Sequence, residues 1–248
     1  MKLVLTPSLI AFATLLGRRL GQSFAGWLVG FPFTSGPVSL FLAVEHGTDF
    51  AAAAAVGSIA SVVAQGAFAL AYAHSAMRGW VKALAAAIAA FAVAWLAVRE
   101  LTPTAVTVAV VAWLFLILVL RLMPPHVMGA AAPPPPAWDL PARMIVATVL
   151  VLALTALAPA LGPFTSGVLS GFPLYATVLA VFGQRDLGPS AGVAVMRGLT
   201  AGLFAFTAFF LVIATMLPSL GIAGAFGLAI AVILAVQGVS FSLLRRAG

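Results

Sequence analysis

Between Gly198 and Leu244, and again between Phe50 and Ala76, the chain carries no Asp, Glu, Lys or Arg. A helix on the surface of a soluble protein needs a polar face, so runs that are apolar all round belong in a bilayer. Its hydrocarbon core is about 30 Å thick and is crossed by about 20 apolar residues in a helix. The rest of the chain agrees: 64% of residues are hydrophobic and 7% charged, where soluble domains carry about 25% charged residues. These facts exclude a soluble enzyme, a nucleic-acid binder and a disordered protein. The net charge of +7 is explained by loops that fix topology rather than by a nucleic-acid partner. With no cysteine, there is no disulfide, thiolate metal site or cysteine nucleophile.

The expected fold class is therefore an all-α polytopic membrane protein with about nine transmembrane helices. Cutting at charges and Pro/Gly clusters places them roughly at 3–17, 21–44, 50–76, 79–98, 102–120, 143–161, 162–183, 192–217 and 221–244. Arg99-Glu100 would be costly inside one span and Pro103 suits the start of a helix, so the apolar block from Gly79 to Leu122 divides in two. The opening Met1-Lys2 also resembles a signal peptide, but Arg18-Arg19 follows without a small-residue cleavage site, which favours a retained helix.

Nine alternating spans put Arg18, Arg19, Arg78, Lys82, Arg121, Arg143, Arg185, Arg197, Arg245 and Arg246 on one face, with only Lys2 and Arg99 opposite. By the positive-inside rule that face is cytoplasmic, the N-terminus is outside and the C-terminus inside. The expected location is a bacterial cytoplasmic (inner) membrane. Prolines at 124–125 and 133–136 make residues 123–141 a stiff cytoplasmic linker.

The linker separates two similar segments. Leu20-Gly21, Gly26, Leu28, Gly30-Phe31-Pro32, Phe41, Gly47, Ala53 and Gly57 recur 141 residues later as Leu161-Gly162, Gly167, Leu169, Gly171-Phe172-Pro173, Phe182, Gly188, Ala194 and Gly198. The pentapeptide Pro32-Phe33-Thr34-Ser35-Gly36 also recurs at Pro163 to Gly167, an offset of 131, but extends poorly beyond itself. In the 141 register the copies fall on the second and seventh spans, an odd number of helices apart, and so point in opposite directions. Residues 1–98 then form a first four-helix repeat, 99–122 a connecting transmembrane helix, 123–141 the linker, and 142–248 a second, inverted four-helix repeat. Inverted repeats with interrupted helices are the architecture of many secondary transporters, with substrate near the midplane.

Candidate function follows from the breaks. Pro32 and Pro37 cannot donate to the carbonyls of Leu28 and Phe33, which interrupts the second span. Ser35 or Gly36 is the expected N-cap of the restarted helix, and Ser170 or Gly171 its counterpart in the seventh span, before Pro173. A half-helix N-terminus at mid-bilayer suits an anionic group. The expected substrate-binding residues are Gly30, Phe31, Pro32, Thr34, Ser35, Gly171, Phe172, Pro173, Tyr175 and Thr177. The competing reading of Gly26-x-x-x-Gly30 and Gly167-x-x-x-Gly171 is close helix packing, within the chain or between copies in a homo-oligomer.

Glu45 matches Asp186 in the repeat register, so Glu45 and His46 outside and Arg185 and Asp186 inside are candidate gates, with Arg197 either snorkelling or pairing with Asp186. Gln65 and Gln237 should face protein or water. No enzyme is expected: His46, His74 and His126 form no HExxH pair, no serine has an embedded base, and no phosphate loop or Asp cluster is present. No cofactor or metal is expected either. The partners are the bilayer and a small-molecule or ion substrate. The leading expectation is a small secondary transporter for an anionic, zwitterionic or amphipathic solute. The alternatives are a non-transporting scaffold or subunit, and a lipid flippase. A cavity reaching Thr34 and Tyr175 would favour the first over a solid core.

Overall fold

The computed structural model describes residues 2–32, 35–98, 104–125, 138–157 and 171–247. Within them the chain is helical and no strand occurs: α1 (Lys2–Leu20), α2 (Gln22–Val29), α3 (Ser35–His46), α4 (Thr48–Ser75), a 3-10 turn (Ala76–Arg78), α5 (Trp80–Val98), α6 (Ala105–Leu122), α7 (Asp139–Leu157), α8 (Leu174–Leu187) and α9 (Pro189–Ala247). Gly221, with φ 67° and ψ 179°, divides α9 into two runs, 189–220 and 222–247. The division of the block after Gly79 is present. Val98 ends α5, and α6 opens on Thr104, whose Oγ1 accepts from the Thr107 N–H at 3.3 Å. Arg99, Glu100 and Pro103 lie outside the described residues, as do residues 126–137 of the linker and Leu161 to Ser170 of the second repeat copy.

Among the described residues four helices are long and apolar enough to cross a membrane: Thr48–Arg78, Trp80–Val98, Ala105–Leu122 and Pro189–Gly238. The last spans 50 residues, and its division at Gly221 provides for two crossings. The second expected span is two pieces. α2 has 8 residues and α3 has 12, so neither alone reaches the length of about 20 residues that a bilayer requires.

α4 and the first run of α9 are the centre of the bundle. Each packs on α6 and on the other, while α4 also takes α3 and α5, and α9 takes α2 and α8. α1 lies against α2 and α7. Alanines at 51, 55, 64, 69 and 73 let the neighbours of α4 approach closely, and Ile59, Phe68 and Tyr72 fill the gaps, all buried. Outward faces stay apolar: Ile88, Val93 and Leu96 on α5, Leu114, Ile117 and Leu118 on α6, and Ile145, Val149 and Leu152 on α7 are exposed. Soluble monomers rarely leave such a continuous apolar rim in water, but lipid covers it without cost.

Glycine governs the crossing of α2 with α9. A Cβ on Gly26 would lie 2.0 Å from the Val195 carbonyl oxygen, and one on Gly198 would lie 1.9 Å from that of Ser23. The Gly26–Gly30 face is therefore covered by α9 within the same chain. Of the two packing roles weighed for this face, the contact within the chain is the one the described residues show.

Candidate functional site

The two Gly-Phe-Pro segments meet. A central cavity of about 70 Å³ is lined from α1 by Leu9 and Ala13, from the first break by Gly30, Phe31 and Ser35, and from the second by Gly171, Phe172, Pro173 and Tyr175, with Gln65 of α4 and Leu199, Leu203 and Phe206 of α9. The segments run antiparallel. The Gln22 Oε1 at the start of α2 is 3.4 Å from where a Cβ on Gly183, near the end of α8, would stand. From that shared end α2 runs inward to Gly30, while α8 runs outward from the cavity.

Local hydrogen bonding explains how the breaks are held. The Phe31 N–H donates to Leu28 at 3.1 Å and Gly30 to Trp27 at 3.2 Å, so α2 closes with tight i→i−3 bonds. The expectation that the Leu28 carbonyl loses its partner is thereby corrected, since Phe31 takes the place Pro32 cannot fill. The restart positions also differ by a few residues from those expected. Gly36 N–H already donates to Pro32 at 2.8 Å, so helical bonding begins before Ser35. On the other side Pro173 itself is the N-cap, its carbonyl accepting from the Thr177 N–H at 2.9 Å. Phe172 is clamped edge-on between Phe68 and Phe91, with centroids at 5.4 and 5.5 Å.

Most of the expected binding residues line this cavity, but two that the structure describes do not. Pro32 is buried outside the lining. Thr177 is buried and donates its hydroxyl to the Pro173 carbonyl at 2.9 Å, so its one donor hydrogen is committed within α8. Thr34 lies outside the described residues. Tyr175 reaches the lining and extends its hydroxyl 3.4 Å from Thr6 Oγ1 on α1. Gln65 donates to Ser61 Oγ at 3.4 Å and is the amide in the lining; Gln237 is buried in α9.

The proposed gates are arranged less symmetrically than their register. Glu45 and His46 are exposed at the end of α3, and among the described residues neither joins an ion pair; the His46 ring lies 5.1 Å from Phe50. Arg185 is exposed. Asp186, by contrast, belongs to a four-residue ionic cluster. Arg143 donates through Nε to both Asp139 oxygens at 3.0 and 2.9 Å and through Nη2 to Asp186 at 2.5 Å, while Arg18 donates to Asp139 at 2.6 Å. The Arg143 guanidinium also stands 5.0 Å over the Phe182 ring. Arg197 does not pair with Asp186. It donates to the Met123 and Pro124 carbonyls at 3.2 Å each, closing the C-terminal end of α6.

Asp139 and Asp186 stand at helix ends outside the expected spans, and both carboxyls bond the Arg143 guanidinium. Burial disfavours the Asp139 carboxylate, but the bonds and charge of Arg143, with the bond from Arg18, outweigh it and hold its pKa below the ordinary value. Asp186 is pushed above its ordinary value by burial first and by the adjacent Asp139 charge second. Sequence reading named Asp186 and Arg143 separately, but not their meeting, and it missed Asp139. Its sole signal was Asp139 and Arg143 at i,i+4 spacing on one helix.

Compared with protein families, curated proteins and solved structures, the chain matches none.

Proposed function

We propose that this chain is a small secondary transporter of inverted-repeat architecture that moves a small solute or ion across a membrane by alternating access. One observation carries the reading: the duplicated Gly-Phe-Pro breaks, on antiparallel segments, line a single central cavity. Two further glycines agree with the register. Gly47 and Gly188, at matching positions of the 141-residue register, each precede a long helix, with φ of 90° and 89°. A side chain there would be strained, which explains a glycine in both copies.

Cavity chemistry narrows the solute. α3 and α8 both start at the lining while α2 ends there, and among the described residues no charged side chain lines it. Two helix N-termini against one C-terminus favour an anion or the anionic end of a small zwitterion. A volume of about 70 Å³ suits an ion or a few waters, well below the roughly 300 Å³ where drug-sized sites begin. A lipid flippase finds less support. A larger hollow of about 450 Å³, lined by Ala67, Leu70, Ala71, His74, Ala90, Phe115 and Leu122, shares no residue with the central cavity. A solid scaffold would have no reason to keep a hollow at both breaks.

The basic residues support an orientation with the cluster end cytoplasmic: Arg18, Arg143 and Asp186 meet there, and Gln184 donates to Ala76, just before Arg78, at 2.8 Å. The test uses the absence of native cysteine. His46→Cys and Leu187→Cys, at positions 141 apart, should react with an impermeant thiol reagent from opposite sides, His46→Cys from outside. Reaction from the same side would overturn the inverted repeat.

A further inference from the structure

We propose that the Asp139–Asp186 carboxyl pair binds and releases one proton during the transport cycle, making Asp186 the proton-coupling group of the carrier. This inference rests on the transporter reading above. Its starting point is the central cavity, whose lining among the described residues contains no carboxylate or histidine, so a proton-driven cycle is assigned a proton site elsewhere that acts on the cavity mechanically.

The cluster is built for that. Two carboxyls share one guanidinium, that of Arg143, whose side chain is 5% exposed: Nε bonds Asp139 and Nη2 bonds Asp186. Asp139 is the fixed member: its side chain is 1% exposed and takes hydrogen bonds from both Arg143 and Arg18. Asp186 is the exchangeable member. Its side chain is 23% exposed, so a proton can arrive from water, and its charge is held by the single bond from Arg143. When Asp186 takes a proton, a neutral carboxyl replaces the carboxylate, and Arg143 keeps Asp139 as its counter-ion. The pair α7–α8 then loses its charged tie. Two carboxyls held on one guanidinium oppose each other's ionisation, which keeps one proton available.

No other charged side chain competes for Asp186 among the described residues. α1 contributes Arg18, bonded to Asp139; α7 contributes Asp139 and Arg143; Arg185 on α8 itself is exposed. Lys82 on α5 is exposed, and Arg197 on α9 is committed to α6. α2 carries no titratable group.

α8 links the proton site to the cavity. Its C-terminal turn carries Asp186, and its first residues, Leu174 to Ala176, line the cavity. Fourteen residues form a rod of about 20 Å. Release of the Arg143 tie at one end therefore lets the rod pivot at the other, where Pro173 supplies the hinge. One proton would move per solute in this scheme.

The chain has three aspartates, Asp49, Asp139 and Asp186, so protein labelled with ¹³C at aspartate carboxyls, in an Asp49→Asn background, shows two resonances. In purified protein one should titrate above the ordinary Asp value of about 3.9 and vanish in Asp186→Asn. The second readout is a cysteine at Ser35 in vesicles of phosphatidylcholine and phosphatidylglycerol. The ratio of its thiol-labelling rates from the two sides should change about tenfold between about pH 5 and about pH 8, and Asp186→Asn should abolish that change. An Asp186 carboxyl that stays ionised throughout, or a pH response unchanged in Asp186→Asn, overturns the proton assignment. A carboxyl that titrates as expected beside a cysteine reached from neither side overturns the carrier reading instead, and coupling with it.

Discussion

Arg143→Gln is expected to destabilise the protein by about 3–5 kcal/mol near neutral pH, the cost of breaking a buried ion pair from one side. Arg143 and Asp139 are almost fully buried and Arg143 makes three of the four bonds in the cluster. Glutamine keeps some hydrogen bonding but no charge, so two neighbouring carboxylates lose their shared counter-ion. Arg143→Lys should recover only part of the loss, because an ammonium cannot match the fork that bonds Asp139 and Asp186 together. The pH dependence has a definite sign. In the native protein the lowered pKa of Asp139 contributes stability present above the unfolded value, and it is lost as pH falls through the folded value. Without Arg143 the buried carboxyl is raised instead, so the variant's deficit is largest at neutral and alkaline pH and shrinks in acid. Thermal unfolding in detergent across that range measures both. A deficit independent of pH would mean that Arg143 serves by packing on Phe182 alone.

Gly198→Ala should be nearly as disruptive, by about 1–3 kcal/mol or more, because the new methyl would lie 1.9 Å from the Ser23 carbonyl oxygen and 2.7 Å from the Trp27 nitrogen. Both obstacles are backbone, so α2 and α9 must separate as rigid bodies. Gly227→Ala is the control: the site is exposed, with nothing within 4 Å of the added carbon among the described residues, and alanine there should be neutral or slightly stabilising through helix propensity. Equal effects at 198 and 227 would contradict a backbone contact between α2 and α9 at Gly198.

These residues also show what a membrane sequence discloses. Charges and prolines were legible because each is costly in a bilayer helix: Arg99-Glu100 marked the gap between α5 and α6, and the prolines after Phe31 and Phe172 marked both breaks. Six of the eleven positions that recur 141 residues later are glycine or proline, residues whose roles lie in the backbone. Which way each helix faces was not legible. A bilayer helix is apolar all round, so α4 and α9 offer no amphipathic stripe from which to infer that Gln65 meets the cavity or that Thr177 turns away from it. The ionic cluster depends on partners 43 and 121 positions apart, and such pairing is set by helix packing. Arg197 misled because its acceptors are backbone carbonyls at the end of α6, which side-chain patterns never reveal.

Alternating access is tested most directly by the cysteine at Ser35, in the lining between the two breaks. In vesicles of defined orientation it should be reachable by an impermeant thiol reagent from the outside and from the inside in turn, with conditions that raise one rate lowering the other. Labelling from neither side, or from one side only under every condition, would contradict a carrier and leave a membrane protein whose paired breaks enclose a sealed hollow.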